Sequence, residues 1–321
     1  MDLIFMNNNK EDVGVVHDAT LDLAFGTDEN DYECKVASVN HCCREGYFLY
    51  YEGTEYGGIV DDIYIDTDAD EITYHGKTWH GILNAKVLEP DAGEDYLVID
   101  GEANEMLAFL IARMGLEGLF KASEEASGIN IGNYKMNRYI KGYDGIRKML
   151  KASGGKLNIT LKDGFVELSA RPIVDYSKDE QFDTDQIGFN IKKRYHPVNH
   201  VVCLGKGDLK EREVIHVYAD AEGNISDTQV FFGIDEVADT YENANTESSE
   251  ELREGGIELI LESWNGNEVN FDFTADDFIY DIGDIVGAKE RMTGIEVNAE
   301  ITKKIVKIKN NTTTISYKVG E

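Results

Sequence analysis

Alternation constrains this chain most. From Asp12 to Phe25 (DVGVVHDATLDLAF) apolar and polar residues trade places at a period near two. That is the signature of a half-buried strand, not of a helix. The pattern returns at Gly57–Ile65 (GGIVDDIYI), closes on the polar turn Asp66–Asp70, and resumes at Ile72–Gly76 and through Trp79–Leu88. Short runs rich in Val, Ile, Tyr and Thr, broken by Gly and Asp about every ten residues, predict a barrel or sandwich over the first hundred residues.

The pattern changes after Asp100. Glu102–Met114 (EANEMLAFLIARM) is built from strong helix formers. Its acids lie in the first turn and Arg113 near the end, as the helix dipole favours. A second helix is predicted from about Asp144 to Ala152, stopped by Gly154–Gly155. Lys156–Leu161 and Phe165–Arg171 then flank Lys162-Asp163-Gly164, a hairpin with a glycine-containing turn. Residues 175–186 are polar and acidic and read as a loop or linker. Strand-like runs follow at Ile187–Tyr195, Asn199–Leu204 and Val214–Tyr218, the last closing on the turn Asp220–Asn224. Residues 233–262 are helical in part, with Glu250–Trp264 the best segment despite Gly255–Gly256. From Val269 strands return, and Ile295–Ile308 faces Thr312–Val319 across Lys309-Asn310-Asn311. No internal period marks a solenoid or propeller, and three prolines make no low-complexity linker.

Charge narrows the function. With 31 basic and 62 acidic side chains the net charge is −31, a field that repels phosphate backbones. Specific nucleic-acid binding is therefore not expected. The charge is uneven: residues 1–100 hold 5 basic and 23 acidic groups, residues 101–200 hold 15 and 13, and the remainder 11 and 26. Three regions of different surface chemistry follow. The start, Met-Asp-Leu-Ile-Phe, carries an acid where a signal peptide has a cation. The longest apolar run, Met106–Ala112, falls far short of the ~20 residues that span a bilayer, so no membrane insertion is expected. Four cysteines (Cys34, Cys42, Cys43, Cys203) do not make a disulfide scaffold and read as reduced thiols of a protein made in the cytoplasm. The Cys42–Cys43 pair is too irregular for a zinc knuckle.

The candidate chemical motifs fail one by one. Asp66-Thr-Asp68-Ala-Asp70 opens like a calcium loop, but Glu71 stands where glycine is needed and Lys77 where the chelating glutamate should be. His196 and His200, with Cys203, have Pro197 between them and on a strand would lie about 13 Å apart. His75 and His80 are no better placed. Gly205-Lys-Gly207-Asp208 lacks phosphate-loop spacing and reads as a turn. Cys203, within an apolar run, reads as a core thiol rather than a nucleophile. None of the 62 carboxylates is singled out as a glycosidase pair. Trp79 and the tyrosines of Tyr47–Tyr56 read as core aromatics rather than a sugar platform. The cations from Lys121 to Lys156 either meet an acidic neighbour or form a solvated face. No catalytic, cofactor or metal residue is assigned.

Four segments nevertheless resemble a family: the tail-hub, or baseplate-hub, proteins of long-tailed phages, prophages and phage-tail-like particles. They are Gly58-Ile-Val-Asp-Asp-Ile with Ile72-Thr-Tyr-His-Gly-Lys-Thr-Trp79-His-Gly81-Ile-Leu; Tyr143-Asp-Gly-Ile-Arg-Lys-Met-Leu with the Lys162-Asp-Gly164 hairpin; Val198 to Arg212 with Val214-Ile-His-Val-Tyr218; and Tyr280-Asp-Ile-Gly-Asp-Ile-Val-Gly-Ala288, leading through Thr293-Gly294-Ile to Ile315–Glu321. The positions that carry the likeness are Gly76, Trp79, Gly81, Asn199, His200, Gly205, Gly207, Arg212, Tyr280, Gly283, Asp284 and Gly287.

The resemblance implies a structural, non-enzymatic protein of a virion or tail-like particle, with an α+β, mainly β fold. Two β-barrel-like domains, 1–100 and 265–321, would flank a mixed α/β region at 101–186 and a strand-plus-helix region at 187–264. Three copies would form a ring, a pseudo-sixfold face toward the hexameric distal tail or tail-tube ring. The tape-measure protein and a central spike or fibre would be the other neighbours. Some members carry an appended murein hydrolase or peptidase; here the chain stops at Glu321, after the last predicted strand, so no such domain is expected. The alternatives are a tail-associated cell-wall hydrolase, or a polysaccharide-binding tail-tip module using Trp79 or Trp264.

Overall fold

Asp18, with φ of 53°, breaks the first alternating run in two: Asp12–Val16 and Thr20–Gly26 are separate strands. The run at Gly57–Ile65 divides likewise into Gly57–Ile59 and Asp62–Asp66. The computed structural model describes residues 2–178, 181–183, 189–192, 197–246, 248–264, 268–274, 280–289, 294, 296–310 and 312–320. Of the expected loop at 175–186, Gln181–Asp183 is a short strand and residues 179, 180 and 184–186 lie outside the described residues. Of the expected strand Ile187–Tyr195 only Phe189–Lys192 is described.

Strand predominates over helix, as the α+β, mainly β expectation requires. The chain divides into two units: Met1–Gly188 with Phe271–Gly320, and Phe189–Asn270. In the first unit the two ends of the sequence share one sheet, antiparallel except where Gln181–Asp183 runs parallel to Ile285–Lys289. Six of its strands run in the order Thr312–Gly320, Glu296–Lys309, Thr20–Gly26, Asn30–Ala37, Glu71–Lys77, Asp62–Asp66. The register between the ends is Lys303 opposite Gly26 through Lys309 opposite Thr20. Among the described residues no sheet closes into a barrel.

Trp79–Leu88 is not the strand run its composition predicts. Trp79–Asn84 forms helix α1, because Thr78 caps it by accepting the Gly81 N–H, and Trp79 and Leu83, four apart, bury one face. Helix α2 (Ala103–Arg113) and helix α3 (Gly142–Ala152) lie where expected. Glu102 caps α2 by accepting from Asn104 N and Glu105 N. The hairpin Gly155–Lys162 with Phe165–Pro172 also forms. Its two-residue turn puts Asp163 at φ 53° and Gly164 at φ 75°, the pair of left-handed residues that a tight hairpin selects. These elements pack around Trp79, Leu107, Tyr143, Met149 and Leu161 in one core.

In the second unit four strands order as Ile225–Ser226, Val214–Ala219, His200–Leu204, Ala238–Glu242. Of residues 233–262, expected to be helical in part, Ala238–Glu242 is a strand, parallel to His200–Leu204. Helix α4 (Ser249–Trp264) covers one face, burying Leu252 and Ile260 with Val201, Cys203 and Val217. Its Gly255–Gly256 pair is tolerated for a reason of space: a Cβ on Gly256 would overlap the Cys203 thiol.

Candidate functional site

A buried ion network lies in the first unit. Lys304, on strand Glu296–Lys309, has Phe25 directly opposite on one side and Tyr317 on the other. Its ammonium therefore sits between two rings, 6.0 and 5.8 Å from their centroids. It donates to Glu55 Oε1 at 2.6 Å and lies 3.7 Å from Asp281 Oδ1. The other Asp281 oxygen accepts from Lys156 Nζ at 2.8 Å, and Lys156 reaches both oxygens of Asp284 at 2.8 and 2.7 Å. Lys156, Asp284 and Lys304 are buried.

The loop Tyr280–Asp284 is shaped around Lys156. Asp284 accepts from Val174 N (2.9 Å) and Asp281 N (3.1 Å), while Gly283 takes φ of 97° to turn the chain back. The Tyr280 N–H donates to the Tyr317 hydroxyl, whose ring it also meets edge-on. Burial pushes the Asp281 carboxyl up, but the Lys156 hydrogen bond and the Lys304 charge outweigh it and hold the group below the usual carboxylate range. Burial opposes the Lys304 charge, yet Glu55 and the neighbouring phenols raise its pKa.

His80, on α1, closes the network as a neutral group. It stacks on Phe25 at 4.5 Å and meets Tyr143 edge-on. Burial, reinforced by the Lys304 charge, pushes its pKa down to about 3. The 4.0 Å approach to Glu55 is therefore not an ion pair. The unfolded chain binds a proton at this histidine below pH ~6.5 and the folded chain does not, so His80 opposes folding as pH falls through that window. Between pH 7.5 and 5 the loss is about 2 kcal/mol. Urea denaturation at the two pH values should show that difference shrinking by this amount in His80→Phe; an unchanged difference would contradict a neutral, buried His80.

Three of the cations from Lys121 to Lys156 meet acids of this chain's own C-terminal segment, while Lys121 pairs with Glu167. Besides Lys156, Arg147 lies 3.7 Å from Glu300 and Lys151 pairs with the same carboxylate. Composition could not reveal Glu55 and Lys304 as members. One signal was present: adjacent lysines inside a strand, Lys303-Lys304, lie on opposite faces, and both are buried, Lys303 paired with Glu29 and Lys304 with Glu55.

The positions of the resemblance divide between the two units. Gly76 and Gly81 permit backbone contact, since a Cβ would overlap the carbonyl oxygens of Ile59 and Asn30 respectively. Trp79 is fully buried and stacks on Phe48, so it offers no ring face to a sugar. Gly287 lies against Ser177. In the second unit Asn199 donates to Asp235 O and accepts from Val237 N, seating the edge strand. His200 meets Glu236 at 2.7 Å and His216 at 2.8 Å. Gly205 donates to Glu213 O, Gly207 takes φ of 104°, and Arg212 donates to Gly205 O and pairs with Glu242. That loop is a self-bonded turn, not a phosphate cradle. Trp264 donates to Val198 O.

His200 and Cys203 point to opposite faces of their strand, and His196 lies outside the described residues. Asp66 accepts from Asp68 N and Ala69 N, making an ordinary hairpin turn. Among the described residues no group of three or more His, Cys, Asp or Glu side chains is placed to hold a metal. No helix among them is long and apolar enough to cross a membrane. The network's charged side chains, Lys156, Lys304, Glu55, Asp281 and Asp284, are paired with one another, an arrangement that fastens distant segments together.

Neither a family model nor a curated protein matches the sequence. Solved structures do match the fold. Prophage tail protein gp18 from Listeria monocytogenes EGD-e aligns over 99% of this chain and 94% of its own, at TM-score 0.57 and 12% identity. The fold is that of phage tail proteins. The prophage MuSo2 43 kDa tail protein from Shewanella oneidensis aligns at TM-score 0.57 over 99% and 96% of the two chains, at 10% identity. A tail protein from Neisseria meningitidis MC58 aligns at 0.53 over 100% and 96%, at 12% identity. The tail-protein fold thus extends over both units of this chain.

Proposed function

We propose that this chain is the hub of a phage or phage-derived tail. Three copies form a ring that joins the distal tail or tail-tube ring to a central spike or fibre, with the tape-measure protein as a further neighbour. The observation that supports this reading is the extent of the fold match, 94% or more of both chains for each of the three prophage or tail proteins. A borrowed module would align over only part of either chain. The role is structural and non-enzymatic, carried by interfaces rather than by a reacting centre.

The charge suits a conduit. At net −31, a lumen lined by acidic side chains lets DNA pass without adhering, because like charges do not bind. Light scattering on the purified protein tests the assembly. The expected mass is three times the 36.0 kDa chain, either alone or on mixing with the distal tail ring protein. A monomer under both conditions overturns the proposal. Purified sacculi incubated with the protein should release no muropeptides.

A further inference from the structure

Between the strands Asn30–Ala37 and Phe48–Tyr50 the chain makes a short loop that carries Cys42 and Cys43. Neighbouring side chains on an extended backbone point to opposite sides. Here they do not: the two sulfurs lie 3.5 Å apart. The cause is Tyr74, whose hydroxyl accepts from both Cys42 N (3.0 Å) and Cys43 N (3.3 Å) and contacts His41 Nδ1 at 3.0 Å. Tyr74 is itself fixed, fully buried on the central sheet and paired opposite Cys34. The loop is thus held so that both thiols face each other, Cys42 partly exposed and Cys43 buried behind it.

We propose that Cys42 and Cys43 form a redox-active dithiol that a low-molecular-weight disulfide oxidises to an intrachain Cys42–Cys43 disulfide. The Cys42 thiol loses its proton to solvent, and its thiolate attacks one sulfur of the small disulfide. A mixed disulfide forms and one small thiolate leaves. The Cys43 sulfur then attacks the Cys42 sulfur, its proton passing to the second departing thiolate. Two protein thiols are oxidised, one small disulfide is reduced, and two small thiols are released. Closing the bond brings the sulfurs from 3.5 Å to about 2.05 Å.

The order of attack follows from the environments. The hydrogen bond from Cys43 lowers the Cys42 pKa, while that same bond and burial push Cys43 up. Cys42 is therefore the entry thiol and Cys43 the resolving one. Cys34 is fully buried, its pKa pushed up to about 12 by burial, and burial also raises Cys203, so neither competes.

The test exposes the folded full-length protein to oxidised glutathione, then counts thiols after denaturation and maps peptides by mass. The expected result is a fall from four thiols to two, with residues 42–43 lighter by two hydrogens and no retained glutathione. In Cys43→Ser the glutathionyl group should stay on Cys42, and in Cys42→Ser all three remaining thiols should survive. Four surviving thiols in the wild type, a stable mixed disulfide there, or a bond to Cys34 overturns the proposal. Peptide mapping of the wild type decides the matter alone if the Cys43 variant does not fold.

Discussion

Replacing Asp284 with alanine should lower the stability of its unit by about 3–5 kcal/mol, the cost of stripping a buried charge of its partner. Lys156 would keep only Asp281, and the N–H groups of Val174 and Asp281 would lose their acceptor. The effect is large because the ammonium cannot return to water without opening the hairpin that carries it. Urea denaturation read at Trp79, in a Trp264→Phe background, isolates this unit. In a Lys156→Met background the same substitution should cost at least ~1 kcal/mol less, since neighbours in one network are coupled. A loss below ~1 kcal/mol in the wild-type background would mean that the network does not hold the unit together.

Gly76→Val should cost about 3 kcal/mol, at the upper end for overpacking, because the obstruction is backbone. A Cβ there would overlap the Ile59 carbonyl oxygen and lie 2.8 Å from its carbon and 3.0 Å from Asp61 N. No rotamer relieves that. The Gly58–Thr78 bridge and the Asp61 N–H bond to His75 O would have to yield. Gly118→Ala, with open space around it and no left-handed backbone, is the control and should stay within ~0.5 kcal/mol. Equal melting of the two variants would sink the account of Gly76.

Elements with local causes were legible. The Asp163-Gly164 hairpin, α2 with its acidic start and α3 with its glycine stop each follow from a few adjacent residues. Trp79–Asn84 was misread because Thr78 capping and the Trp79–Leu83 spacing were masked by β-prone neighbours. Ala238–Glu242 was not legible as a strand because an exposed polar edge strand carries no alternation; Asn199 and its sheet partner hold it. The site was half legible. Asp284, Gly283 and Tyr280 stood within the family-like segment, whereas Glu55 and Lys304 looked like any surface charges.

The chain's own order of residues determined its periodicities, its turns, its acidic balance and the scarcity of reactive motifs, since these depend on spacing over a few positions. Only the tertiary structure decided that Glu296–Lys309 lies beside Thr20–Gly26, and that Lys156 and Lys304 are inside rather than in water. Pairing between strands so far apart is settled by which faces bury together, and a lysine's place depends on carboxylates brought to it from distant segments.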